Sequence, residues 1–274
     1  MATKIVAHEI SSRQNPHSKQ ILKLRDRRDR DRSGLFLIEG FREASRAITH
    51  DVKIEKFFFS KELFLGTHET ELLHQVLQQG VPLFQMSAPL FRAISYRDRP
   101  DGLLAIAHKM NRSLNEISLP QNALMIIAES IEKPGNLGTI IRSADAAGAD
   151  LVIVANRCTD IYNPNVVRAS VGTLFTLPII ETSNEEAYNF CIQHKISLCA
   201  ATPEAKMRYT NANMTQGIGI VVGTEQLGLS SFWKEQCQSH VSIPMAGIAD
   251  SLNVATATTL LLFEAVRQRH AHSL

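Results

Sequence analysis

A chain of 274 residues with a mass of 30.4 kDa exceeds one typical domain, so its length favours two domains. Hydrophobic residues make up 44% and charged residues 20% of the sequence, which excludes the disordered and collagen-like classes. The formal net charge of +2 favours no class of partner by itself, and no apolar run approaches the roughly 18 residues of a membrane span. The amino terminus also lacks the apolar core of a signal peptide. We therefore expect a folded cytoplasmic protein that does not enter a membrane.

The amino-terminal part carries a basic stretch from Arg13 to Arg32. Eight Lys or Arg residues stand there against three Asp, a net charge of +5. Such a stretch attracts a phosphate backbone through counterion release, and Arg25 and Arg28 are then candidate RNA contacts. The same pattern also fits a solvated helical face with internal ion pairs, and the sequence leaves both interpretations open.

From Leu35 onward, short apolar runs alternate with amphipathic stretches. Strands are predicted in LFLIEG, IEKFFFS, PLFQM and GLLAIAH. Helices are predicted in FREASRAITH, in Thr67–Gln79 and in Ala88–Ile94. This alternation is typical of βαβ units and predicts a mostly parallel sheet in the first half of the chain.

A polar stretch at residues 109–122 separates the halves and predicts a first domain at 1–110, a linker at 111–122 and a second domain at 123–274. Strands of the second domain are predicted in ALMIIA, LVIVA, FTLPIIET, ISLCAAT, GIGIVVG and VSIPM. Helices are predicted near 136–147, 164–171, 184–194, 229–237 and 251–269. We expect a second α/β domain with helices on both faces of its sheet.

Four cysteines are spread through the second half of the chain. No CxxC pair occurs among them, and no histidine stands beside them at metal-ligand spacing. We expect reduced thiols that pack as small apolar residues, and no metal site.

Ligands of open α/β sheets lie beyond the carboxyl ends of the strands, so loops that follow apolar runs are the candidate sites. The first such loop is PGNLGTIIRSADAAG, which follows ALMIIA. Asn136 can cap the next helix, and Arg142 lies one turn beyond Gly138 on the same face. The sequence leaves open whether these residues bind a ligand or serve only as a cap and a surface cation.

Two further loops follow later strands. In IGIVVGTEQLGLS, Gly223 and Glu225 predict a tight turn that exposes backbone amides and one carboxylate. In SIPMAGIADSLNVATA, Ser251 is a plausible cap for the last helix. A buried Asn253 at the start of that helix would need partners, since an unsatisfied amide costs about 1 to 3 kcal/mol.

Several common motifs are absent from the sequence. GxGxxG and GxxxxGK[ST] do not occur, which argues against dinucleotide-dependent dehydrogenases and P-loop ATPases. No G-x-S-x-G motif occurs, and the ten histidines do not pair with carboxylates at catalytic spacing, so a hydrolase is disfavoured.

Taken together and in this order, NLGTIIR, VVGTEQLG and IPMAGIADSLNVA resemble the three signature motifs of the SpoU/TrmH family of RNA 2′-O-methyltransferases, in the SPOUT superfamily. The segment RASVGTLFTLPI resembles the family's phosphate-contacting segment, and NPHSKQILKL with LFLIEGFREASRAI is similar to its amino-terminal L30e-like substrate-binding domain. The resemblance implies a trefoil-knotted α/β catalytic domain and a homodimer, whereas periodicity alone predicts an unknotted doubly wound sheet.

The resemblance also implies site residues. The methyl-donor pocket would be formed by Thr202, Gly223, Ile243, Met245 and Leu252. The reacting and supporting set would be Asn136, Arg142, Glu225, Ser251 and Asn253, with Arg168 in contact with RNA. The chain departs from the family at Lys133, where an aspartate often precedes the proline, and at Ala255, where serine is usual.

The activity implied by this resemblance is S-adenosylmethionine-dependent methylation of a ribose 2′-hydroxyl in structured RNA. An L30e-like domain makes 23S ribosomal RNA the first choice of substrate and transfer RNA the second. Two alternatives from other classes are a catalytically silent RNA-binding or ribosome-assembly protein on the same fold, and a dehydrogenase, which the missing fingerprint disfavours.

Overall fold

The computed structural model describes residues 5–224 and 226–271, excepting the side chain of residue 271. The chain divides into two compact units. The first contains the residues up to Asn111 together with Tyr162–Thr176, and the second contains Arg112–Ile161 and the residues from Leu177 onward. The segment Tyr162–Thr176, which lies within the predicted second domain, therefore packs with the first unit.

Tyr162 anchors this segment in the first unit. Its ring lies 4.6 Å from the ring of Phe36, measured between centroids. Its hydroxyl accepts a hydrogen bond from the Met110 amide at 2.8 Å and donates one to the Met110 carbonyl at 2.9 Å. A buried tyrosine needs such partners for its hydroxyl, and only the folded chain brings them together.

All predicted strands and helices of both halves are present, and the described residues add two strands, two helices and four single-turn 3-10 helices. Up to residue 111 the elements are β1 (His8–Ile10), α1 (Pro16–Lys23), α2 (Arg27–Ser33), β2 (Leu35–Glu39), α3 (Phe41–Thr49), β3 (Ile54–Phe59), α4 (Glu69–Gln78), β4 (Leu83–Met86), α5 (Ala88–Ile94) and β5 (Leu103–His108). Beyond it are β6 (Leu124–Glu129), α6 (Pro134–Ala146), β7 (Leu151–Ala155), α7 (Pro164–Ser170), β8 (Ile179–Thr182), α8 (Asn184–Gln193), β9 (Ser197–Ala201), β10 (Met207–Arg208), β11 (Ile218–Val222), α9 (Ser231–Gln236), β12 (Ser239–Ser242) and α10 (Val254–Ala271). The sequence missed β1, α1 and β10, whereas α2 matches the helical face that was one interpretation of the basic stretch.

The first unit contains a five-stranded mixed sheet in the order β1-β4-β3-β5-β2. Strands β1, β4 and β3 are parallel, but β5 runs antiparallel to both β3 and β2. The prediction of a mostly parallel sheet is wrong for β5, because periodicity reports which faces of a strand are buried and not the direction of the chain. The α/β class itself is confirmed.

The second unit contains a seven-stranded sheet in the order β10-β12-β9-β11-β6-β7-β8, and every pairing is parallel. Strands β6, β7 and β11 are buried along their whole length, as near-continuous apolar runs in a two-faced parallel sheet require. Strand β6 has β7, the next strand in the chain, as its neighbour on one side. Its neighbour on the other side is β11, which comes much later in the sequence. This reversal between β6 and β11 is the point where open α/β sheets bind ligands.

Three of the four cysteines are buried and Cys158 is exposed, all as free thiols. Burial raises the pKa of Cys191 and of Cys237 to about 12. These thiols therefore stay protonated at neutral pH and pack as apolar groups. In the part of the chain that is described, no helix is both long and apolar enough to cross a membrane.

The far end of α10 is fastened by Arg269. Its guanidinium donates to the carbonyls of Met214 at 3.0 Å, Asn122 at 2.8 Å, Ala123 at 3.3 Å and Gln216 at 2.8 Å. These carbonyls precede β6 and β11, so one side chain joins the last helix to the starts of two central strands. Partial burial lowers the pKa of Arg269, but the group stays charged at any ordinary pH.

Replacing Arg269 with methionine should lower the free energy of unfolding by about 2 to 4 kcal/mol, because several carbonyls lose a charged donor. Urea denaturation followed by circular dichroism measures this loss. The matched control is Arg267→Met on the same helix, since the side chain of Arg267 is 63% exposed and its pair with Glu264 is screened by solvent, so its loss should matter far less. Equal stability losses in the two variants would contradict this role of Arg269.

Candidate functional site

Parallel strands of the second sheet bring the predicted loops to one edge. Thr202 follows β9, Gly223 follows β11 and Ile243 follows β12, and the carboxyl ends of these strands lie together. A cavity of about 240 Å³ opens at this edge. Its lining includes all five residues of the predicted donor pocket, Thr202, Gly223, Ile243, Met245 and Leu252. Ser251 of the predicted reacting set lines it as well.

The loop after β11 needs glycine at position 223. A Cβ atom there would lie 2.3 Å from the Gly228 carbonyl oxygen, far inside van der Waals contact. This close approach exists because Thr224 and Gly228 exchange backbone hydrogen bonds of 3.1 Å in both directions. The Thr224 hydroxyl also accepts from the Leu227 amide at 2.9 Å. The loop is therefore a closed turn that forms one wall of the cavity.

Glu129, at the end of β6, holds the far side of the same loop. Its carboxylate is buried and accepts from the Ser230 amide at 2.9 Å and from the Asn184 side chain at 2.8 Å. Asn184 in turn accepts from the Trp233 indole at 3.0 Å. Sequence reasoning missed Glu129, although a carboxylate closing an otherwise apolar strand was a usable signal.

The cavity combines an apolar wall with a few charged groups. Its apolar lining includes Val222, Val241, Val254, Ala257 and Leu261. The charged side chains among its described lining are Glu204, Lys234 and Asp250, none of which the sequence indicated. A hydrogen bond from the Thr202 hydroxyl, helped by the Glu204 backbone and by Lys234, holds the pKa of Glu204 below its usual value. Such a lining suits a small molecule with an aromatic ring and a polar, charged end.

Asn253 connects the last helix to the first loop. Its side-chain oxygen accepts from the amides of Ala255 at 3.0 Å and Thr256 at 3.4 Å, so Asn253 is the cap of α10. Its amide group donates to the Asn136 side-chain oxygen at 3.1 Å. Two predictions are corrected here: Ser251 is not the cap, because α10 begins at Val254, and Asn253 is exposed and not buried.

Asn136 is not a helix cap either. Helix α6 begins at Pro134 and its cap position is Lys133, which makes no side-chain cap bond. Asn136 therefore lies inside the first turn, where its side-chain oxygen accepts a hydrogen bond from Asn253. The purely structural interpretation of Asn136 as a cap is wrong, because proline at the first helical position shifts the start two residues earlier.

Arg142 lies on α6 and is exposed to solvent. Within the described residues it forms neither a hydrogen bond nor an ion pair, so its guanidinium is available to an anionic ligand. The next residue, Ser143, is hydrogen-bonded to Thr259 of α10 at 2.7 Å, which fixes the helix carrying Arg142. The remaining predicted member of the reacting set, Glu225, lies outside the described residues.

The three predicted RNA contacts have different surroundings. Arg168 and Arg28 are exposed, Arg168 on α7 of the first unit and Arg28 on α2. Arg25 donates to the carbonyls of Ile94 at 2.8 Å and Ser95 at 2.6 Å, and so holds the end of α5. Arg25 therefore has a structural role at the end of α5, besides its prediction as an RNA contact.

Ion pairs also account for part of the basic stretch. Arg27 pairs with Asp31 at 3.5 Å and Arg32 pairs with Asp29. Arg30 is fully buried and donates to the backbone carbonyl of Leu24 at 3.0 Å. The interpretation as a helical face with internal ion pairs therefore applies to a large share of this stretch.

Comparisons with known proteins agree with this geometry. A model of the SpoU rRNA Methylase family matches residues 123–263, and a model of the MRM3-like substrate binding domain matches residues 5–105. The 23S rRNA (uridine(2479)-2′-O)-methyltransferase of Streptomyces viridochromogenes is 32% identical over 270 residues, which covers 96% of this chain and 93% of that protein.

Two solved structures are similar along almost the whole chain. The crystal structure of an RNA 2′-O ribose methyltransferase has a TM-score of 0.84 at 40% identity and covers 96% of this chain and 99% of that one. The AdoMet-bound rRNA methyltransferase from Sinorhizobium meliloti has a TM-score of 0.87 at 28% identity, covering 95% and 98% of the two chains. The family model, the relatives and the converging loops lead to one conclusion: this chain belongs to the SpoU rRNA methylase family.

Proposed function

We propose that the protein transfers the methyl group of S-adenosylmethionine to a ribose 2′-hydroxyl of ribosomal RNA. The observation that carries the proposal is the cavity at the carboxyl edge of the second sheet, where loops after β9, β11 and β12 meet. The AdoMet bound to the Sinorhizobium meliloti relative and the rRNA substrate in the name of the Streptomyces viridochromogenes relative support it.

The lining of the cavity suits the donor chemically. Val241, Leu261 and the chain at Gly223 and Ile243 would offer apolar surface for an adenine ring. Charged side chains at the cavity can meet the ribose hydroxyls and the amino-acid end of the donor. When bound, the donor supplies a methyl group that a sulfonium has already activated.

Methyl transfer asks the chain mainly to align atoms. A bond forms between the ribose oxygen and the methyl carbon as the bond from that carbon to sulfur breaks, and the hydroxyl proton must leave. The contact between Asn136 and Asn253 holds the start of α6 against the start of α10, beside the cavity wall formed by Ser251 and Leu252. Alignment of this kind can lower the free-energy barrier of the reaction by several kcal/mol, and by about 7 kcal/mol or more in favourable cases.

Arg142 would contact the target ribose or its phosphate and stabilise the developing negative charge on the oxygen. A guanidinium holds its proton too firmly to act as a general base. We therefore propose that a phosphate oxygen of the RNA shares this proton, with Arg142 of the second unit and Arg168 of the first unit as the cations that contact RNA. Glu225, Ser251 and Asn253 would position these groups.

We assign RNA binding to residues 1–110 and catalysis to 123–274, with 111–122 as the linker. The match to a substrate binding domain at residues 5–105 supports the first assignment. The trefoil knot implied by the resemblance, formed by the segment that leads to α10, and a cytoplasmic location are part of the same proposal. A crystal structure traced through residues 223–254 tests the knot, and cell fractionation tests the location.

A homodimer is the proposed assembly. Leu260 and Phe263 of α10 are exposed, at 38% and 46%, and their spacing places them on one helical face. An isologous contact between two such faces would bury them. Light scattering should report a dimer that Phe263→Glu converts to a monomer. A wild-type chain that stays monomeric at micromolar concentration would contradict the dimer.

Two measurements test the function. Calorimetry with S-adenosylmethionine should show saturable binding, whereas a silent RNA-binding protein would not bind the donor even at millimolar concentration. Tritiated methyl groups should then be incorporated into total RNA from cells that lack the protein, and primer extension should map them to one ribosomal RNA ribose. Incorporation into transfer RNA alone would replace ribosomal RNA with the alternative substrate.

A further inference from the structure

A second, wider cleft lies entirely within the first unit. Its volume is about 790 Å³. It is formed by the start of α3, the turn before α4, the loop between α5 and β5, and helix α7. Its charged lining consists of Arg42, Arg97, Arg99, Arg168, Glu43, Glu69, Asp98 and Asp101. The function described above uses none of these residues except Arg168.

The floor of this cleft is a rigid, acidic surface. Glu69 is buried, and one of its oxygens accepts from the amides of Leu65 at 3.1 Å and Gly66 at 2.6 Å. Asp101 accepts from the Phe41 amide at 2.8 Å. Backbone donors therefore fix both carboxylates, and neither can swing away when a ligand enters.

Arg97 and Glu43 complete the floor. Glu43 is buried, and the two side chains pair at 2.5 Å. Gly40 makes room for them, because a Cβ atom there would lie 2.5 Å from both side chains. With Arg97 as its single cation against Glu43, Glu69 and Asp101, the floor has an excess of negative charge and of hydrogen-bond acceptors.

The rim of the cleft has the opposite character. Arg42, Arg99 and Arg168 are exposed and come from three separate segments of the chain. Among the described residues, none of these three arginines has an ion-pair partner. Asp98 is the one exposed carboxylate in the lining. The rim therefore favours anions while the floor favours hydrogen-bond donors.

Contacts at both ends of helix α7 hold Arg168 at this rim. Arg46 donates to the Val171 carbonyl at 2.5 Å, just beyond the end of α7. Gly172 allows a close approach to α3, because a Cβ atom there would lie 3.0 Å from the Glu43 Cα. Asn165 donates to the Tyr96 hydroxyl at 2.8 Å. These contacts fix α7 from both of its ends.

We propose that this cleft binds one unpaired RNA nucleotide, with phosphates at Arg42, Arg99 and Arg168 and the base edge toward the acidic floor. The inference rests on the proposed function, in which the chain acts on RNA. A free phosphate would be repelled by the floor, whereas a nucleotide presents negative charge and N–H donors at opposite ends. Bases with an exocyclic amino group fit best, since carboxylates accept from such groups.

Binding of fluorescent single-stranded RNA, measured by anisotropy, tests the proposal. Each of Arg42→Ala, Arg99→Ala and Arg168→Ala should weaken binding about fivefold and reduce the salt slope by about 0.7. The matched control is Arg92→Ala, an exposed arginine of α5 outside the cleft lining, which should bind like the wild type. Three cleft variants that bind like the control would overturn the proposal.

The base preference is tested with oligo(C) and oligo(U) of equal length. The two bases stack similarly, but cytosine carries an amino group where uracil carries a carbonyl. Because the carboxylates of the floor accept hydrogen bonds, oligo(C) should bind several-fold more tightly. Equal affinity would overturn the orientation of the base. A wild-type chain that binds S-adenosylmethionine but no RNA would overturn this inference and leave the donor site of the proposed function standing.

Discussion

Arg142→Ala should reduce methyl transfer by about 100- to 1,000-fold, while the affinity for S-adenosylmethionine stays within about twofold of the wild type. Arg142 does not line the donor cavity, so its loss should not affect donor binding. It is exposed, and removing it should also leave folding intact. The physical reason for the slow reaction is the loss of a positive charge beside the oxygen that becomes anionic.

Single-turnover methylation of ribosomal RNA and calorimetry with the donor measure the two effects separately. The conservative variant Arg142→Lys keeps the charge but loses the planar fork, so it should retain part of the rate. Near-normal turnover of Arg142→Ala on its own RNA would show that the assigned role is wrong. A loss of donor affinity as large as the loss of rate would instead place Arg142 in the donor pocket.

Gly223→Ala should weaken donor binding by at least about tenfold, because overlap of this size cannot be relieved without moving backbone. The added methyl group would lie 2.3 Å from the Gly228 carbonyl oxygen and 2.7 Å from the Leu229 nitrogen. The turn must open, which breaks the paired bonds between Thr224 and Gly228 and displaces a wall of the cavity.

Gly135→Ala is the matched control for this substitution. A Cβ atom at Gly135 meets nothing within 4 Å, and the residue lies in the first turn of α6, so alanine there should be tolerated. Donor affinity from calorimetry and the melting temperature should be compared for both variants. Wild-type donor affinity in Gly223→Ala would mean that this turn does not shape the donor site.

Much of the site could be predicted from local sequence signals. Apolar strands that end at Gly223 or Ile243 predict loops at a sheet edge, and parallel pairing of the strands then brings those loops together. Motifs singled out Asn136 and Asn253, but only the fold shows their contact at 3.1 Å, which joins residues 117 positions apart. Glu204, Lys234 and Asp250 were missed because a single charged residue outside any motif carries no signal of its own, whereas Glu129 closes an apolar strand and offered a usable one.

The same limit explains the errors. A helix cap depends on which residue first adopts helical geometry. Helix α6 begins at Pro134, so Asn136 is not its cap. Helix α10 begins at Val254, so Ser251 is not its cap. The structural role of Arg25, whose guanidinium donates to carbonyls about 70 positions away, could not be predicted either. Charge in a sequence does not show whether water or backbone surrounds it in the fold.

By itself, the sequence determined the family, the α/β class and the order of the main strands and helices, because these follow from apolar periodicity and from motifs a few residues long. Only the tertiary structure decided the direction of β5, the packing of α7 with the first unit and the meeting of Arg42, Arg99 and Arg168 at one cleft. Each of these depends on the path of the chain between distant segments, and that path is selected by the burial of the whole core and not by neighbouring residues.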